Sequence, residues 1–319
     1  MILDRVVSRE PLTEHDGRSG ATLERVVLDD GTRLIVKSAD PNNDITMVAT
    51  GNVDRELRLF ATGALARLDG GVGHPIVDVW REGDQVVTVM RDLGDTIPGW
   101  SRVLDRGEVE RVVRGLASMH RVFLGSPPAD LCPLETRLSL LGRDSMASVP
   151  GGLGGELPAA ITHGWDCFSS LVPADVSAAV FAVHRDPGAL AEALRGTGPS
   201  TLCHADLWPV NLALEPEQVT LLDWAIATEA PPVLDLEIYL TGSSSHVTCS
   251  RDEVIELFRA ASPSCSDEAL ALGLFAGLCD MAWNKALDAT EHEDPTQRAT
   301  AAADLAWWVT QGQAGLALL

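Results

Sequence analysis

The chain has 319 residues, of which 45% are hydrophobic and 22% charged, proportions that are typical of a folded globular protein and not of a disordered one. Its formal net charge of -22 argues against nucleic acid as a partner, since nucleic-acid binding requires a basic surface. No apolar run is long enough to cross a membrane, and the charged start MILDRVVSRE lacks the apolar core of a signal peptide, so we expect a cytoplasmic protein.

The first ninety residues have the pattern of strands. Two β-rich runs, 21–28 and 32–37, flank Asp29-Asp30-Gly31, which is a typical hairpin turn. This half predicts a small lobe of about five strands and one helix. Its other predicted elements are a helix over 52–68 and strands over 76–80 and 85–90.

After residue 93 the pattern becomes helical, beginning with 108–123, whose apolar residues share one broad face. The glycine-rich segment 150–155 (PGGLGG) lacks a preceding strand and a Gly-Lys-Ser/Thr ending, so we interpret it as a flexible connector and not as a phosphate loop. The six cysteines include no Cys-x-x-Cys pair, which predicts neither a zinc site nor a disulfide framework. Further helices are predicted over 187–195, 253–261, 267–289 and 298–311.

Three polar side chains surround two short apolar runs in the stretch HADLWPVNLALEPEQVTLLDW. The runs predict a hairpin with its turn at 215–218. Asn211, before the first strand, and Asp223, after the second, should then be neighbours at the open end. Asp206 lies in the loop that leads to the same end. A carboxylate and an amide oxygen facing another carboxylate suit Mg²⁺, which binds few protein oxygens together with phosphates.

The same stretch resembles a known pair of signatures. His204-Ala205-Asp206, four residues, Asn211, and then Leu221-Leu222-Asp223-Trp224 are similar to motifs of the aminoglycoside phosphotransferases and their choline kinase-like relatives, which share the protein-kinase fold. The protein-kinase pattern is H-R-D-x-x-x-x-N followed by D-F-G. Here Ala205 replaces the Arg and Trp224-Ala225 replaces Phe-Gly, as is typical of small-molecule kinases. Asp235-Leu236 resembles the Asp-Leu-Ala step that follows in these proteins.

This resemblance implies an α+β, bilobal, protein-kinase-like fold. Residues 1–92 would form a nucleotide-binding lobe with a small antiparallel sheet and one helix. Residues 93–319 would form a larger, mainly helical lobe with the catalytic loop, the metal site and the acceptor pocket. Asp206 would be the catalytic residue, orienting the acceptor hydroxyl and taking its proton. Asn211 and Asp223 would hold Mg²⁺ against the phosphates of ATP, with GTP as the alternative nucleotide.

Lysine is rare in this chain, with only Lys37 and Lys285 among 24 basic residues. Lys37 ends the second strand of the Asp-Gly hairpin. In the resembled family, a lysine at this place clamps the nucleotide phosphates and pairs with an acid on the next helix. We choose Glu56 as that acid, with Asp54 as the second candidate. A solvated helix charge is the alternative interpretation of Glu56.

The remaining site residues depend on weaker signals. Residues 16–22 would form a reduced phosphate loop, in which we name Ser19 and Gly20. The adenine would meet the connection between the lobes, where we name Met90 and Asp92. A late helix that lines the acceptor pocket in the resembled family supplies the acceptor candidates Asp280, Trp283 and Lys285. A surface salt bridge is the alternative for Lys285.

The function that this sequence predicts is transfer of the ATP γ-phosphate to a hydroxyl of a polar small molecule. The acceptor would be an aminoglycoside-like antibiotic, an amino sugar or an amino alcohol, and an antibiotic acceptor would imply antibiotic resistance. The acidic second half of the chain favours a cationic acceptor. A protein kinase is the alternative, although the Arg before Asp206, the Gly after Trp224 and an Ala-Pro-Glu element are missing. A non-catalytic nucleotide-binding member is the other alternative.

Overall fold

The N-terminal part of the chain is built on a five-stranded antiparallel sheet. The structure is a computed structural model that describes residues 2–13, 20–52, 54–262 and 264–319. In the predicted hairpin, the N–H of Leu28 donates to the Thr32 carbonyl at 2.9 Å, and Gly31 has a φ of 85°. The strands of this sheet are β1 (Val6–Pro11), β2 (Thr22–Leu28), β3 (Arg33–Ala39), β5 (Ile76–Glu82) and β6 (Gln85–Arg91). They lie side by side in the order β1-β2-β3-β6-β5.

The prediction of one helix over 52–68 is wrong in its extent. The structure has two short helices, α1 (Ile45–Thr50) and α2 (Arg55–Ala61), and a 3-10 turn at Leu65–Arg67, while Val53 lies outside the described residues. Glycines in the left-handed region separate these pieces: Gly51 ends α1 with a φ of 62°, and Gly63 follows α2 with a φ of 71°. A local apolar period cannot show such breaks, since it records only which face is buried.

The rest of the chain is mainly helical and contains the larger hydrophobic core. The long helix α11 packs against α6, α9 and α12, and every residue of α9 is buried. The predicted helices are present with ends shifted by a few residues, whereas α4 to α7 and α9 were not predicted. The helices are α3 (Arg106–Phe123), α4 (Leu134–Ser139), α5 (Arg143–Ala147), α6 (Leu157–Leu171), α7 (Ala174–Arg185), α8 (Gly188–Gly196), α9 (Val233–Ser243), α10 (Arg251–Ala261), α11 (Asp267–Glu291) and α12 (Pro295–Leu316).

Two small sheets connect residues 204–224 to the rest of the molecule. The predicted hairpin is formed by β8 and β9, with Leu212 opposite Leu221. Strand β4 pairs in parallel with β9, so the first ninety residues share a sheet with this hairpin. Strand β7, which precedes this hairpin in the chain, pairs antiparallel with β10, which follows the hairpin. The strands are β4 (Val72–Gly73), β7 (Thr201–Cys203), β8 (Leu212–Leu214), β9 (Val219–Leu221) and β10 (Thr228–Ala230).

The fold class predicted from the resemblance is confirmed: an antiparallel N-terminal sheet precedes a mainly helical part. Among the helices of the described residues, none combines the length and the apolarity that crossing a bilayer requires.

Candidate active site

The open end of the β8–β9 hairpin brings Asp206, Asn211 and Asp223 together. The side-chain nitrogen Nδ2 of Asn211 donates to Oδ2 of Asp206 at 2.7 Å and to its carbonyl at 3.0 Å. The carbonyl of Asn211 accepts from the N–H of Leu222 at 2.9 Å, directly before Asp223. Because the Asn211 nitrogen is the donor in both contacts to Asp206, the amide oxygen is the atom that it can offer to a cation.

Lys37 enters this cluster from β3. Its ammonium nitrogen lies 3.0 Å from Oδ1 of Asp223 and 3.7 Å from Oε2 of Glu56. Burial alone would lower the pKa of Lys37, but the charges of Asp223 and Glu56 hold that pKa well above its usual value. Lys37 is therefore a fixed positive charge within this cluster of carboxylates.

The structure distinguishes between the two candidate partners of Lys37. Glu56 is buried on α2 and accepts hydrogen bonds from the Thr88 hydroxyl at 3.2 Å and from the N–H of Trp224 at 3.3 Å. Asp54 instead forms an ion pair with Arg81 at 2.7 Å. Glu56 therefore joins β3, β6 and the segment after Asp223 in one buried polar network.

An oxygen-only donor set at this cluster fits Mg²⁺. Asp223 offers a carboxylate and Asn211 an amide oxygen, and both are hard ligands that leave room for water and phosphate oxygens. Burial would raise the pKa of Asp223, but Lys37 lowers it below the usual value, so the carboxylate is ionised at neutral pH. These residues would hold the ion that the resemblance implies.

Backbone strain is concentrated at the same place. Ala205 has a φ of 64° and Asp223 a φ of 59°, and both values lie in the left-handed region that residues other than glycine rarely adopt. Asp235 stabilises the strained backbone at Ala205, because its buried carboxylate accepts hydrogen bonds from the N–H groups of Ala205 at 2.8 Å and of His204 at 3.0 Å. His120 supports this carboxylate through Nε2 at 2.8 Å. The Asp-Leu step thus fixes the loop that carries Asp206.

A buried arginine holds the same loop from the other side. Nε of Arg137 donates to the carbonyl of Ala205 at 3.1 Å, and its two terminal nitrogens bind Asp280 in a bidentate pair at 2.7 and 2.8 Å. The sequence contained no signal for this role, because Arg137 is one of many arginines and lies on a helix that was not predicted.

The protonation of Asp206 reflects these surroundings. Burial, followed by the charge of Asp223, raises its pKa to about 7, while the charge of Arg137 opposes that rise. A carboxylate with a pKa near neutrality can accept a proton from a hydroxyl group more readily than an ordinary aspartate can.

The predicted nucleotide contacts are described only in part. Ser19 and most of the proposed phosphate loop lie outside the described residues. Gly20 has a φ of 100°, and a Cβ there would lie 2.2 Å from the carbonyl oxygen of Asn43. Met90 pairs with Ile35 within the sheet. The carboxylate of Asp92 binds Arg25 and Arg33 at 3.0 and 2.7 Å, so its side chain is not available to a nucleotide.

The acceptor candidates on α11 have other partners. Asp280 is 3% exposed and is held by Arg137. The Lys285 ammonium lies 3.1 Å from Oδ2 of Asp304 on α12. Trp283 is buried, and its indole N–H has no hydrogen-bond partner among the described residues. Asp280 and Lys285 therefore have structural partners instead of places on an open acceptor surface, because the packing of α4 and α12 onto α11 engages both groups.

An aromatic cluster that the sequence pattern does not predict lies beside Asp206. The rings of Trp208, in the catalytic loop, and Trp100 are 5.6 Å apart, and His246 lies 5.4 Å from Trp100. Trp100 is 38% exposed. The Trp208 side chain also opposes the rise in the pKa of Asp206. The cluster is a surface that an acceptor could contact next to the candidate proton acceptor.

The glycine-rich segment 150–155 also has a place near the site. It consists of turns and forms one side of a cavity of about 700 Å³. The same cavity is also lined by Gly20, Ala21, Asn42 and Asn43. The segment interpreted as a connector therefore shares a cavity with the described end of the proposed phosphate loop.

Comparisons with known proteins agree with this geometry. The model of the phosphotransferase enzyme family (APH) matches residues 17–262. No curated protein sequence matches the chain.

Solved structures are similar in fold at low sequence identity. The choline kinase LicA from Streptococcus pneumoniae is 16% identical with a TM-score of 0.55, covering 97% of this chain and 95% of its own. A thermostable mutant of aminoglycoside phosphotransferase APH(4)-Ia, in a ternary complex with ADP and hygromycin B, is 12% identical with a TM-score of 0.51, covering 98% and 97%. APH(3'')-Id from Streptomyces rimosus is 16% identical with a TM-score of 0.50, covering 86% and 93%.

Proposed function

The chain belongs to the phosphotransferase enzyme family, and from this premise we propose that it transfers the γ-phosphate of ATP to a hydroxyl group of a polar small molecule. The observation that carries this proposal is the convergence of Lys37, Asp206, Asn211 and Asp223 at one hairpin end. These are the residue types that phosphoryl transfer uses for charge neutralisation and for positioning.

Each of these residues has a separate task in the proposed reaction. Lys37 binds phosphate oxygens and is itself positioned by Glu56. Asn211 and Asp223 would hold Mg²⁺, which supplies neutralisation of the phosphate charge when bound. Asp206 orients the acceptor hydroxyl and accepts its proton. Since phosphoryl transfer passes through a loose transition state, most of the rate would come from this positioning and from charge stabilisation.

We propose that the acceptor is polar and cationic. The net charge of -22 favours attraction of cations, and the relatives named above include a choline kinase and an enzyme in complex with hygromycin B. Amino alcohols, amino sugars and aminoglycosides are the classes to test first. For an aminoglycoside acceptor, the enzyme would act in antibiotic resistance. ATP and reduced thiols such as the six buried cysteines both fit the cytoplasm.

An acceptor screen tests this function. Purified protein with Mg²⁺ and ATP is incubated with aminoglycosides, other antibiotics, amino sugars and amino alcohols, and ADP release is recorded. Mass spectrometry then checks that the acceptor has gained one phosphate. We expect acceptor-dependent ADP release and a phosphorylated product. Nucleotide binding without phosphate transfer to any of these classes would contradict the proposed acceptor chemistry.

Replacing Lys37 by Met should lower kcat/KM for ATP by about 10²- to 10³-fold, because a fixed charge on the phosphates is lost from a buried site. Lys37→Arg should rescue little of this loss, since the planar guanidinium cannot take the place of a compact ammonium between Asp223 and Glu56. Initial rates at varied ATP concentration measure the effect, and thermal melting checks that both variants fold. Full activity of Lys37→Met would remove Lys37 from the mechanism.

The pH dependence of kcat/KM should follow Asp206. This parameter reports the free enzyme, in which the pKa of Asp206 is raised to about 7. Protonated Asp206 cannot accept a proton, so kcat/KM should fall about tenfold per pH unit below that pKa and level off above it. Rates measured at saturating Mg²⁺ across the neutral range check this. A constant kcat/KM through neutral pH would show that Asp206 does not limit the reaction by proton acceptance.

A further inference from the structure

A second group of metal-binding side chains lies away from the nucleotide site, where α6 meets the end of α11. His163 and Cys167 are one helical turn apart on α6, and Glu291 is the last residue of α11. Nε2 of His163 lies 2.6 Å from Oε1 of Glu291 and 4.0 Å from the sulfur of Cys167. One imidazole nitrogen is thus approached by a carboxylate and a thiol from two helices.

The distances suit one small ion. The ligand atoms of His163, Cys167 and Glu291 all lie within 4.8 Å of one another. Zinc bonds to nitrogen, oxygen and sulfur are about 2.0–2.3 Å long, so a tetrahedral ion needs ligand separations of roughly 3.3–3.7 Å. Small side-chain rotations bring the three atoms into that range. Imidazole, thiolate and carboxylate are also the ligand types that Zn²⁺ prefers.

Solvent access separates this group from another one of similar composition. His120, Cys203 and Asp235 also lie close together, but all three are buried and already contact one another or the backbone. Asp235 binds His120 and two backbone N–H groups, and Cys203 donates to the Ala230 carbonyl. By contrast, the side chains of His163 and Glu291 are each 53% exposed. An ion and a fourth ligand from water can therefore reach the exposed group.

We propose that His163, Cys167 and Glu291 form a Zn²⁺ site that joins the middle of α6 to the C-terminal end of α11. The site is separate from the proposed Mg²⁺ site, whose ligands are oxygens. Leu157, the first residue of α6, lines the cavity beside segment 150–155. Zinc would thus stabilise one wall of that cavity by fixing α6 to α11.

Titration of Co²⁺ into the chelator-treated, full-length protein tests the proposal. A thiolate ligand gives a sulfur-to-cobalt charge-transfer band, which an ion held by oxygens alone does not give. We expect this band to saturate with one equivalent of Co²⁺ and to disappear when Zn²⁺ is added. Cys167→Ser should abolish the band, and His163→Gln and Glu291→Gln should each weaken binding at least about tenfold. Cys265→Ser, which removes another buried thiol, is the matched control and should bind Co²⁺ like the wild type.

Thermal melting gives a second readout. Zn²⁺ at about 100 times its dissociation constant should raise the Tm by about 4 °C, and this rise should be reduced to about half or less in His163→Gln, whose binding is weakened at least about tenfold. A missing charge-transfer band, or an equal band in Cys167→Ser, would overturn the proposal and leave a surface His–Glu ion pair only. Neither readout depends on catalysis, so failure of the proposed phosphotransferase function would not affect the result.

Discussion

Replacing Asp206 by Asn should reduce phosphate transfer by about 10²- to 10⁴-fold while changing nucleotide affinity little. The isosteric amide cannot accept the hydroxyl proton, but it keeps the shape that packs against Asn211. Steady-state rates with an acceptor found in the screen, or with water as the acceptor, measure the loss. Equilibrium binding of ADP measures the affinity.

An exposed carboxylate provides the control for this change. Asp84→Asn alters a residue in the turn between β5 and β6 and should leave the rate unchanged. If Asp206→Asn retained wild-type transfer, Asp206 would not be the proton acceptor. If Asp206→Asn weakened nucleotide binding as strongly as it reduced phosphate transfer, the role of Asp206 would be structural.

Arg137→Met should destabilise the fold by about 3–5 kcal/mol, because it leaves Asp280 as an unpaired buried charge. The double variant Arg137→Met with Asp280→Leu should recover most of this loss, since two apolar side chains of similar size replace a pair that is costly to desolvate. Urea denaturation of the two single variants and the double variant measures the free energies of unfolding and their coupling.

Activity separates the two roles of Arg137. The double variant has no donor for the Ala205 carbonyl, so the loop that carries Asp206 loses one anchor although the fold is regained. We therefore expect a lower kcat with little change in the KM for ATP. A loss of stability below about 1 kcal/mol in Arg137→Met would show that the pair behaves like an exposed salt bridge.

Local patterns predicted the parts of the site that lie close together in the chain. Asn211 and Asp223 flank one short hairpin, so strand pairing alone brings them together. Lys37 was found because the Asp-Gly turn fixes the end of its strand and because lysine is rare here. In both cases the alternating strand pattern and a recognisable turn sequence predict which residues lie side by side.

The contacts that hold the catalytic loop could not be predicted in this way. Arg137 and Asp280 are separated by 143 positions, and Asp235 reaches back 30 positions to Ala205. Such pairs depend on how helices pack, which periodicity does not record. For the same reason, the sequence could not show that Asp280 and Lys285, the acceptor candidates, have partners on other helices. Asp280 pairs with a residue of α4 and Lys285 with a residue of α12.

The proposed zinc site also depends on contacts between residues that are far apart in the sequence. His163 and Glu291 are 128 positions apart, and Cys167 has no cysteine nearby in the sequence. Because the sequence has no Cys-x-x-Cys pair, its pattern predicts no zinc site. Only the contact of α6 with the end of α11 brings these three ligand types together.

Calorimetric titration of ADP, with and without Mg²⁺, tests the proposed nucleotide and metal site most directly and requires no acceptor. We predict Mg²⁺-dependent binding in the wild type and in Asp206→Asn, and loss of the Mg²⁺ dependence in Asp223→Asn, which lacks the carboxylate proposed to hold the ion. Nucleotide binding that does not respond to Mg²⁺, or that responds equally in Asp223→Asn, would contradict the account.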